Sequence, residues 1–270
     1  MLALVLVAFV LQAAVLAGLN WVGLPKTRYM ADNPAGSIRE WTDAEQVSRY
    51  LLVLAMGQED QDLPTRAGAF DMDAFLDRVQ AHARGEPDDS GSTIPQQLVK
   101  NMFLTPDQTA ARKGIEAVLA QEMSLLVDDA RILELYVNYA QFSPQVYGVC
   151  AASWYYFGHS SKEMTLDESA QLVGLLPSPL HVQRGPSGGL QFSDPDGDGV
   201  VEPHEDGFIS AENVWRAQAM APRWFDQMGG FSATESLGID GLAGDEPAGG
   251  ADCSEMPEDV AALIAREQGR

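Results

Sequence analysis

Two acidic residues with basic residues between them are the part of this sequence best suited to chemistry. Glu59 comes first, Lys100, Arg112 and Lys113 follow, and Glu116 closes the stretch. Two of the four lysines in the chain lie here. A carboxylate can act as a general base, and lysine or arginine can stabilise a phosphate leaving group. The pattern therefore predicts acid–base chemistry on a substrate that carries phosphate.

Helices are predicted to position these side chains. Thr93-Ile-Pro-Gln96 is a capping box, and Pro95 is tolerated in a first helical turn because that turn needs no donor there. The backbone amides that start this helix would form a seat for an anion. Gln96 and Lys100 lie one turn apart on the same face.

The next helix is predicted over residues 112–127, with three apolar residues facing inward: Ile115, Val118 and Leu119. Arg112, Lys113 and Glu116 share its polar face, because residues three and four apart are neighbours on a helix. Taken alone, this trio also fits a surface ion pair of little energetic value.

Local signals predict further helices in the rest of the chain. A capping box at Thr42–Glu45 starts a helix that ends near Gly57, so Glu59 and Asp60 come just after it. Others are predicted after Asp71 and over 129–138, 146–157, 165–177, 210–228 and 257–268. Strand signals are nearly absent, so the predicted fold class is mainly α.

Composition narrows the function classes. The chain has 270 residues, 46% of them hydrophobic, and a formal net charge of −22. Such an acidic protein is not a general nucleic-acid binder, because phosphate repulsion would be uncompensated. Cys150 and Cys253 are far apart in sequence and fit no metal-binding spacing. Free thiols are predicted, with a disulfide as the alternative.

The two ends of the chain differ from its middle. Residues 1–24 are apolar apart from Gln12 and Asn20 and precede the first charge, Lys26, so they predict a transmembrane anchor. A cleaved signal peptide is the alternative, with Val15-Leu-Ala17 as its cleavage site. Residues 25–41 are interpreted as a juxtamembrane connector. Residues 231–270 are interpreted as an acidic, partly disordered tail that includes the helix at 257–268.

Residues 194–205 fit the pattern of a calcium-binding loop. The stretch reads Asp-Pro-Asp-Gly-Asp-Gly-Val-Val-Glu-Pro-His-Glu, with glycine at its sixth position. The predicted metal ligands are Asp194, Asp196, Asp198, Val200, Glu202 and Glu205. A solvated Asp/Gly-rich loop is the alternative, because a pair of flanking helices is not obvious. Any calcium here would stabilise the fold and take no part in catalysis.

Five short segments occur in an order and spacing that resemble one known family. They are Glu59-Asp-Gln-Asp-Leu-Pro…Gly68, Ser92-Thr-Ile-Pro-Gln-Gln-Leu-Val-Lys-Asn101, Arg112-Lys…Glu116, Ile132-Leu-Glu-Leu-Tyr-Val-Asn138 and Ala170…Gly174-Leu-Leu-Pro-Ser-Pro179. The chain thereby resembles the lysozyme-like peptidoglycan glycosyltransferases of family 51, and among them the monofunctional, membrane-anchored type. The resemblance covers residues 42–182 and extends more weakly to about residue 230.

The resemblance implies a glycosyltransferase domain over 42–230, with a calcium-loop-like insertion at 190–209. It implies that the protein polymerises lipid II, a disaccharide-pentapeptide on undecaprenyl pyrophosphate, into β-1,4 glycan strands by an inverting displacement. Glu59 would be the general base. Glu116 would orient the cations or coordinate a divalent ion, Mg or Mn. Substrate contacts are expected at Asp60, Ser92, Thr93, Gln96, Gln97, Lys100, Asn101, Arg112 and Lys113.

The same resemblance implies a place and partners. The expected partners are lipid II, the nascent glycan, the bacterial cytoplasmic membrane and other cell-wall synthesis proteins. The expected location is the cytoplasmic membrane, with a single span and the catalytic domain on the extracytoplasmic side. Two other functions remain open: a catalytically impaired scaffold that binds lipid II or cell-wall enzymes, and a hydrolase that cuts glycan.

The sequence departs from the family pattern at seven positions: Leu63, Arg66, Ser90, Pro95, Gln108, Asp129 and Ser143. In the family, Arg66 corresponds to a histidine, Asp129 to a lysine and Gln108 to an arginine. Loss of two cations from a pyrophosphate site would weaken leaving-group stabilisation. Arg66 is a candidate to replace part of that charge.

Overall fold

The computed structural model describes residues 2–70, 84, 91–105, 109–240 and 253–269. The chain forms two compact units. The first unit comprises Met1–Asp32 and Glu59–Tyr136, and the second comprises Asn33–Gln58 and Val137–Arg270. The predicted mainly α fold class is confirmed, since the strands of the described residues span only two or three residues each. Within the described residues, none of the helices combines the length and the apolar character needed to cross a membrane.

The α-helices are α1 (Leu2–Gly18), α2 (Arg28–Asp32), α3 (Arg49–Glu59), α4 (Ile94–Phe103), α5 (Ala110–Leu126), α6 (Asp129–Tyr139), α7 (Val149–Tyr156), α8 (Leu166–Leu175), α9 (Phe208–Gln227), α10 (Ser232–Ser236) and α11 (Glu258–Gln268). Single 3₁₀ turns lie at Ala44–Gln46 and Ser161–Glu163. The strands are β1 (Ile38–Arg39), β2 (Val146–Tyr147), β3 (Val182–Arg184) and β4 (Leu190–Phe192).

In the first unit, α4 is the central helix and packs against α5 and α2. Its apolar residues Ile94, Leu98 and Met102 are buried, as the spacing of one helical face requires. The capping box at Thr93 forms as predicted, because the Thr93 amide donates to Gln96 Oε1 at 3.0 Å. Helix α1 packs against α5. This arrangement gives the functional side chains of α4 and α5 a common support.

In the second unit, β1 pairs with β2 in parallel and β3 with β4 in antiparallel register. Helices α8 and α9 pack closely. Gly174 allows this approach, since a Cβ there would lie 2.6 Å from Val214 Cα and 3.1 Å from Ala217 Cβ. The glycine of the fifth motif therefore serves helix packing.

Several predicted helix boundaries are wrong. Helix α3 begins at Arg49 and not at Thr42, and it continues to Glu59, which is its last residue. The helix expected over 146–157 is preceded by strand β2 and begins at Val149. The helix expected after Asp71 lies outside the described residues.

The predicted inward face of α5 is wrong at two of its three residues, and the third, Leu119, is half-buried. Ile115 and Val118 are 53% and 58% exposed, whereas Ala120 and Met123 are fully buried. Glu116 is also fully buried. The interior face of the helix therefore carries Glu116 together with Ala120 and Met123, while Ile115 and Val118 face outward.

The two cysteines form a disulfide, so the prediction of free thiols is wrong. Cys150 in α7 is joined to Cys253, with Cα atoms 5.6 Å apart. Cys253 is the first described residue before α11, whose Val260 and Leu263 are buried. Trp154 Nε1 donates to the Cys253 carbonyl at 3.0 Å. The described part of the expected acidic tail is thus packed on the second unit.

Candidate active site

Glu59 is held by an amide from the neighbouring helix. The Gln97 Nε2 group donates to Glu59 Oε2 at 2.6 Å and to the Ser92 carbonyl at 3.0 Å. Gln97 Oε1 accepts from the Tyr136 hydroxyl at 3.2 Å. Glu59 is half-buried. The predicted base is therefore oriented from α4 while keeping part of its surface exposed.

Asp60 forms a bidentate ion pair with Arg66. The Arg66 Nη1 and Nη2 groups lie 2.6 Å and 2.8 Å from the two carboxylate oxygens, and the Asp60 side chain is only 2% exposed. Asp60 Oδ2 also accepts from the Ile94 amide at 3.1 Å, in the first turn of α4. Hydrogen bonding to Asp60 raises the pKa of Arg66 above its usual range. This pair anchors the start of α4.

The predicted anion seat at the start of α4 is filled by the protein itself. The Ile94 amide is bound by Asp60, and Pro95 has no amide hydrogen to offer. The Thr93 side chain accepts a hydrogen bond from the Gln96 backbone amide in the capping box. The helix N-terminus therefore holds Asp60 in place of a substrate phosphate.

The second predicted carboxylate is buried and is paired with two cations. Glu116 Oε2 accepts from Arg112 Nη1 at 3.0 Å, and Oε1 accepts from Lys113 Nζ. The Glu116 side chain is 1% exposed, so the trio is not the surface ion pair that the sequence alone also allowed. Among the described residues, Arg112 Nε is a buried donor with no hydrogen-bond partner.

Ser92 connects the two carboxylates, and the charge of Lys100 interacts with both. The Ser92 carbonyl accepts from Gln97, which binds Glu59, while its Oγ accepts from Lys113 at 3.1 Å. Burial lowers the pKa of the Lys100 ammonium, and its electrostatic neighbours include both Glu116 and Glu59. The structure therefore brings the base and the predicted cations together in the first unit.

The other predicted substrate contacts are placed around this cluster. Thr93 and Gln96 use polar groups of their own in the capping box, so they shape the start of α4. Asn101 is half-buried and directly follows Lys100 on α4. Thr93 is also half-buried and follows Ser92.

Two tyrosines at the site were not singled out from sequence. Tyr136, 3% exposed, binds Gln97; it lies in the fourth motif, but the motif assigns it no role. Burial raises the pKa of Tyr29, and the charges of Arg112 and Glu116 act on it in opposite directions. No sequence signal points to Tyr29, because its approach depends on the packing of α2 against α4.

The departures from the family pattern have local explanations where they are described. Arg66 pairs with Asp60, and the charges of Asp62 and Asp129 also raise its pKa. The charge of Arg66 is therefore paired with Asp60. Leu63 is 2% exposed and packs in the core. Ser143 Oγ accepts from the Val146 amide at 3.1 Å, which fixes a turn. Ser90 and Gln108 lie outside the described residues.

The 194–205 loop gathers three of its predicted ligands. Carboxylate oxygens of Asp194, Asp196 and Asp198 lie within 4.8 Å of one another. Asp194 accepts from the amides of Gly197 and Gly199 at 2.9 Å. The remaining predicted ligands are Val200, 58% exposed, Glu202, whose amide donates to Glu205 Oε2 at 2.7 Å, and Glu205 itself. A strand, β4, precedes the loop and α9 follows it, so only the second flanking helix is present.

Comparisons with known proteins agree with the motif resemblance. A family model described as Transglycosylase matches residues 27–188. A biosynthetic peptidoglycan transglycosylase of Shewanella oneidensis is 37% identical over 147 residues, which cover 54% of this chain and 63% of that protein. The protein of the same name from Marinomonas is 36% identical over 160 residues, covering 59% and 71%. That from Acinetobacter baylyi is 34% identical over 191 residues, covering 67% and 85%.

Proposed function

The chain belongs to the transglycosylase family, and we propose that it polymerises lipid II into β-1,4 glycan strands of peptidoglycan. One observation carries this proposal: hydrogen bonds run from Glu59 through Gln97, Ser92 and Lys113 to Glu116. A half-buried carboxylate and a group of cations therefore share one face of the first unit. That pairing suits a reaction that removes a hydroxyl proton and releases a pyrophosphate.

Glu59 acts as the general base in this proposal. Its carboxylate takes the proton from the 4-hydroxyl of one sugar as the oxygen attacks the anomeric carbon of the other. The bond from that carbon to the pyrophosphate oxygen breaks as the new glycosidic bond forms. A single displacement of this kind inverts the configuration at the anomeric carbon.

The cations receive the charge that develops on the leaving pyrophosphate. Lys100 is a half-buried ammonium on α4, and the unpartnered Arg112 Nε is a further donor among the described residues. Lys113 is 52% exposed and can reach an entering ligand. Charges already in place cost no reorganisation during the reaction, which is why such groups stabilise transition states strongly. Glu116 holds Arg112 and Lys113 in position.

The described residues fit a divalent cation at Glu116 poorly. Both oxygens of this carboxylate are bound to cations, Arg112 and Lys113. Magnesium prefers one or two available carboxylates together with water and substrate phosphates. We therefore assign stabilisation of the leaving pyrophosphate to the protein's own cations.

Two exposed apolar surfaces support membrane association of the first unit. On α5, Ile115, Val118 and Leu125 are 53%, 58% and 68% exposed and share one helix face. On α1, Phe9, Val10 and Leu11 are 52–62% exposed. Gln12 of α1 donates to Glu122 of α5, so the two surfaces lie on packed helices. Together they would place the site next to a lipid-linked substrate, and α1 would help to anchor the protein.

The disulfide supports an extracytoplasmic location. Cys150–Cys253 is a structural crosslink of the second unit, and such bonds persist in oxidising compartments. Peptidoglycan is built outside the cytoplasmic membrane, so the proposed reaction and the crosslink require the same side.

We also propose calcium binding by the 194–205 loop, as a stabilising ion of the second unit. The first three predicted ligands already converge, and Glu205 accepts from the Glu202 amide. The melting temperature should rise in millimolar calcium relative to chelator in the wild type and not in Asp196→Asn. An unchanged wild-type melting temperature would contradict the proposal.

Purified protein incubated with labelled lipid II tests the proposed reaction. We expect glycan polymer that a muramidase can digest. Binding of lipid II without polymer would favour the scaffold alternative, and shortening of preformed glycan would favour a hydrolase. A flotation assay with anionic vesicles tests membrane association. Val118→Asp should bind the vesicles less than the wild type does, whereas Glu212→Asp, a substitution at an exposed residue of the second unit, should bind as the wild type does.

A further inference from the structure

Gln97 is bound at every polar position of its side-chain amide. Its two N–H groups face the Glu59 carboxylate and the Ser92 carbonyl, and its oxygen accepts from the Tyr136 hydroxyl. The two groups that face the amide nitrogen of Gln97 are hydrogen-bond acceptors, and the group that faces its oxygen is a hydrogen-bond donor. The network therefore specifies a single orientation of the amide.

Tyr136 is suited to hold this orientation because it keeps its proton. The ring is 3% exposed. Burial raises the pKa of Tyr136 well above its ordinary value, and the charges of Glu59 and Asp60 raise it further. The hydroxyl is therefore a permanent donor, and the group that faces it must be an acceptor, Gln97 Oε1.

We propose that Tyr136 is a positioning residue for Glu59, acting through Gln97. Tyr136 fixes the position of the amide, and the amide fixes Glu59 Oε2 on the side of α4. The hydroxyl does not touch the reacting atoms in this arrangement. The inference rests on the proposed function only in taking Glu59 as the base; the hydrogen-bond relay itself stands on the distances.

Removing the hydroxyl has a definite consequence. In Tyr136→Phe the ring still fills the core, but Gln97 Oε1 loses its donor. An unsatisfied amide oxygen turns toward another donor or toward water, because leaving a polar group unpaired is costly. Its nitrogen then no longer holds Glu59, and the base is misplaced relative to the sugar hydroxyl. Small displacements of a catalytic group lower turnover more than binding.

A double-mutant cycle tests whether Tyr136 acts through Gln97. We expect Tyr136→Phe to lower kcat about tenfold, with KM for lipid II within about twofold of wild type. In the Gln97→Ala background, Tyr136→Phe should have no further effect on kcat. An additional tenfold loss in that background would overturn the proposal, because Tyr136 would then act by another route.

Tyr156→Phe is the matched control. Tyr156 is also fully buried, and its hydroxyl donates to the Phe142 carbonyl at 2.8 Å in the second unit. Both variants remove one buried hydroxyl and keep the ring. Tyr156→Phe should leave kcat unchanged; an equal loss in both variants would show a general effect of destabilisation and would contradict a positioning role.

A second measurement does not depend on turnover. The side-chain NH₂ resonances of Gln97, assigned by their absence in Gln97→Ala, should exchange with solvent about tenfold faster in Tyr136→Phe and at the wild-type rate in Tyr156→Phe. Unchanged exchange in Tyr136→Phe would refute the relay even if the protein were inactive. Wild-type polymerisation by Glu59→Gln would instead refute the proposed function, and would leave the exchange result standing.

Discussion

Replacing Arg66 with methionine would leave the Asp60 carboxylate buried without its cation. Asp60 and Arg66 side chains are 2% and 11% exposed, and two short hydrogen bonds join them. Unit charges about 4 Å apart attract by roughly 4 kcal/mol at an effective dielectric constant of about 20. Loss of one partner of a buried pair costs about 3–5 kcal/mol. We therefore expect Arg66→Met to lower the free energy of unfolding by about 3 kcal/mol or more.

Thermal unfolding measures this effect, with a control in the same unit. A loss of about 3 kcal/mol corresponds to a fall of roughly 10 °C in melting temperature for a chain of this size. Arg28 pairs with Asp32 at 2.6 Å, but these side chains are 51% and 42% exposed. Arg28→Met should therefore cost less than about 1 kcal/mol. Equal losses in the two variants would refute the argument from burial.

The double variant Asp60→Asn/Arg66→Met separates structure from catalysis. Asparagine keeps an oxygen for the Ile94 amide and removes the buried charge, so most of the lost stability should return. Turnover of lipid II should recover with it, because the charge of Arg66 is paired with Asp60. If stability recovered while turnover stayed low, Arg66 would act on the leaving pyrophosphate instead.

Three further predictions concern other contacts. Lys100→Gln should lower kcat about 10²–10³-fold, as for loss of one transition-state donor, without lowering the melting temperature; a loss below fivefold would contradict its role. Reduction of the Cys150–Cys253 disulfide, or replacement of both cysteines by serine, should lower the stability of the second unit by about 2–5 kcal/mol. Thermal melting with and without reductant measures this loss, and an unchanged melting curve would show that the crosslink is dispensable. Burial alone would lower the pKa of His159, but hydrogen bonds to Glu168 at 3.0 Å and to the Ser160 carbonyl raise it overall. Burial alone would raise the pKa of Glu168, but hydrogen bonds from Thr165 and His159 lower it overall. The pair therefore stabilises the fold between the ordinary pKa values of the two groups, 4.5 for Glu168 and 6.5 for His159, and this stabilisation is lost as the pH rises through the folded-state pKa of His159. The stability difference between wild type and His159→Gln should therefore be larger at pH 5.5 than at pH 8. The opposite trend would contradict this reasoning.

Signals confined to a few neighbouring residues were predicted correctly. The capping box at Thr93 forms, because it depends only on residues three positions apart. The family resemblance also predicted that Glu59 and Glu116 belong to one site, and hydrogen bonds through Gln97, Ser92 and Lys113 link the two carboxylates.

Features set by long-range packing were not predictable in the same way. Hydrophobic periodicity placed Ile115 and Val118 inside, but the buried cluster around Glu116 turns α5 the other way. The start of α3 at Arg49 overrides a valid capping signal at Thr42. The disulfide joins residues separated by 103 positions, a pairing that no local pattern encodes. The occupation of the α4 N-terminus by Asp60 likewise depends on the packing of separate segments.

The most direct test of the account compares initial rates of lipid II polymerisation for Glu59→Gln and Glu122→Gln. Glu122 is a half-buried carboxylate of the same unit that accepts from Gln12 and takes no part in the proposed reaction. We expect Glu59→Gln to lose at least about 10³-fold in kcat while still binding lipid II, in line with the loss of a general base. Glu122→Gln should polymerise at the wild-type rate. Polymer formation by Glu59→Gln within tenfold of wild type would contradict the central claim that this carboxylate removes the hydroxyl proton.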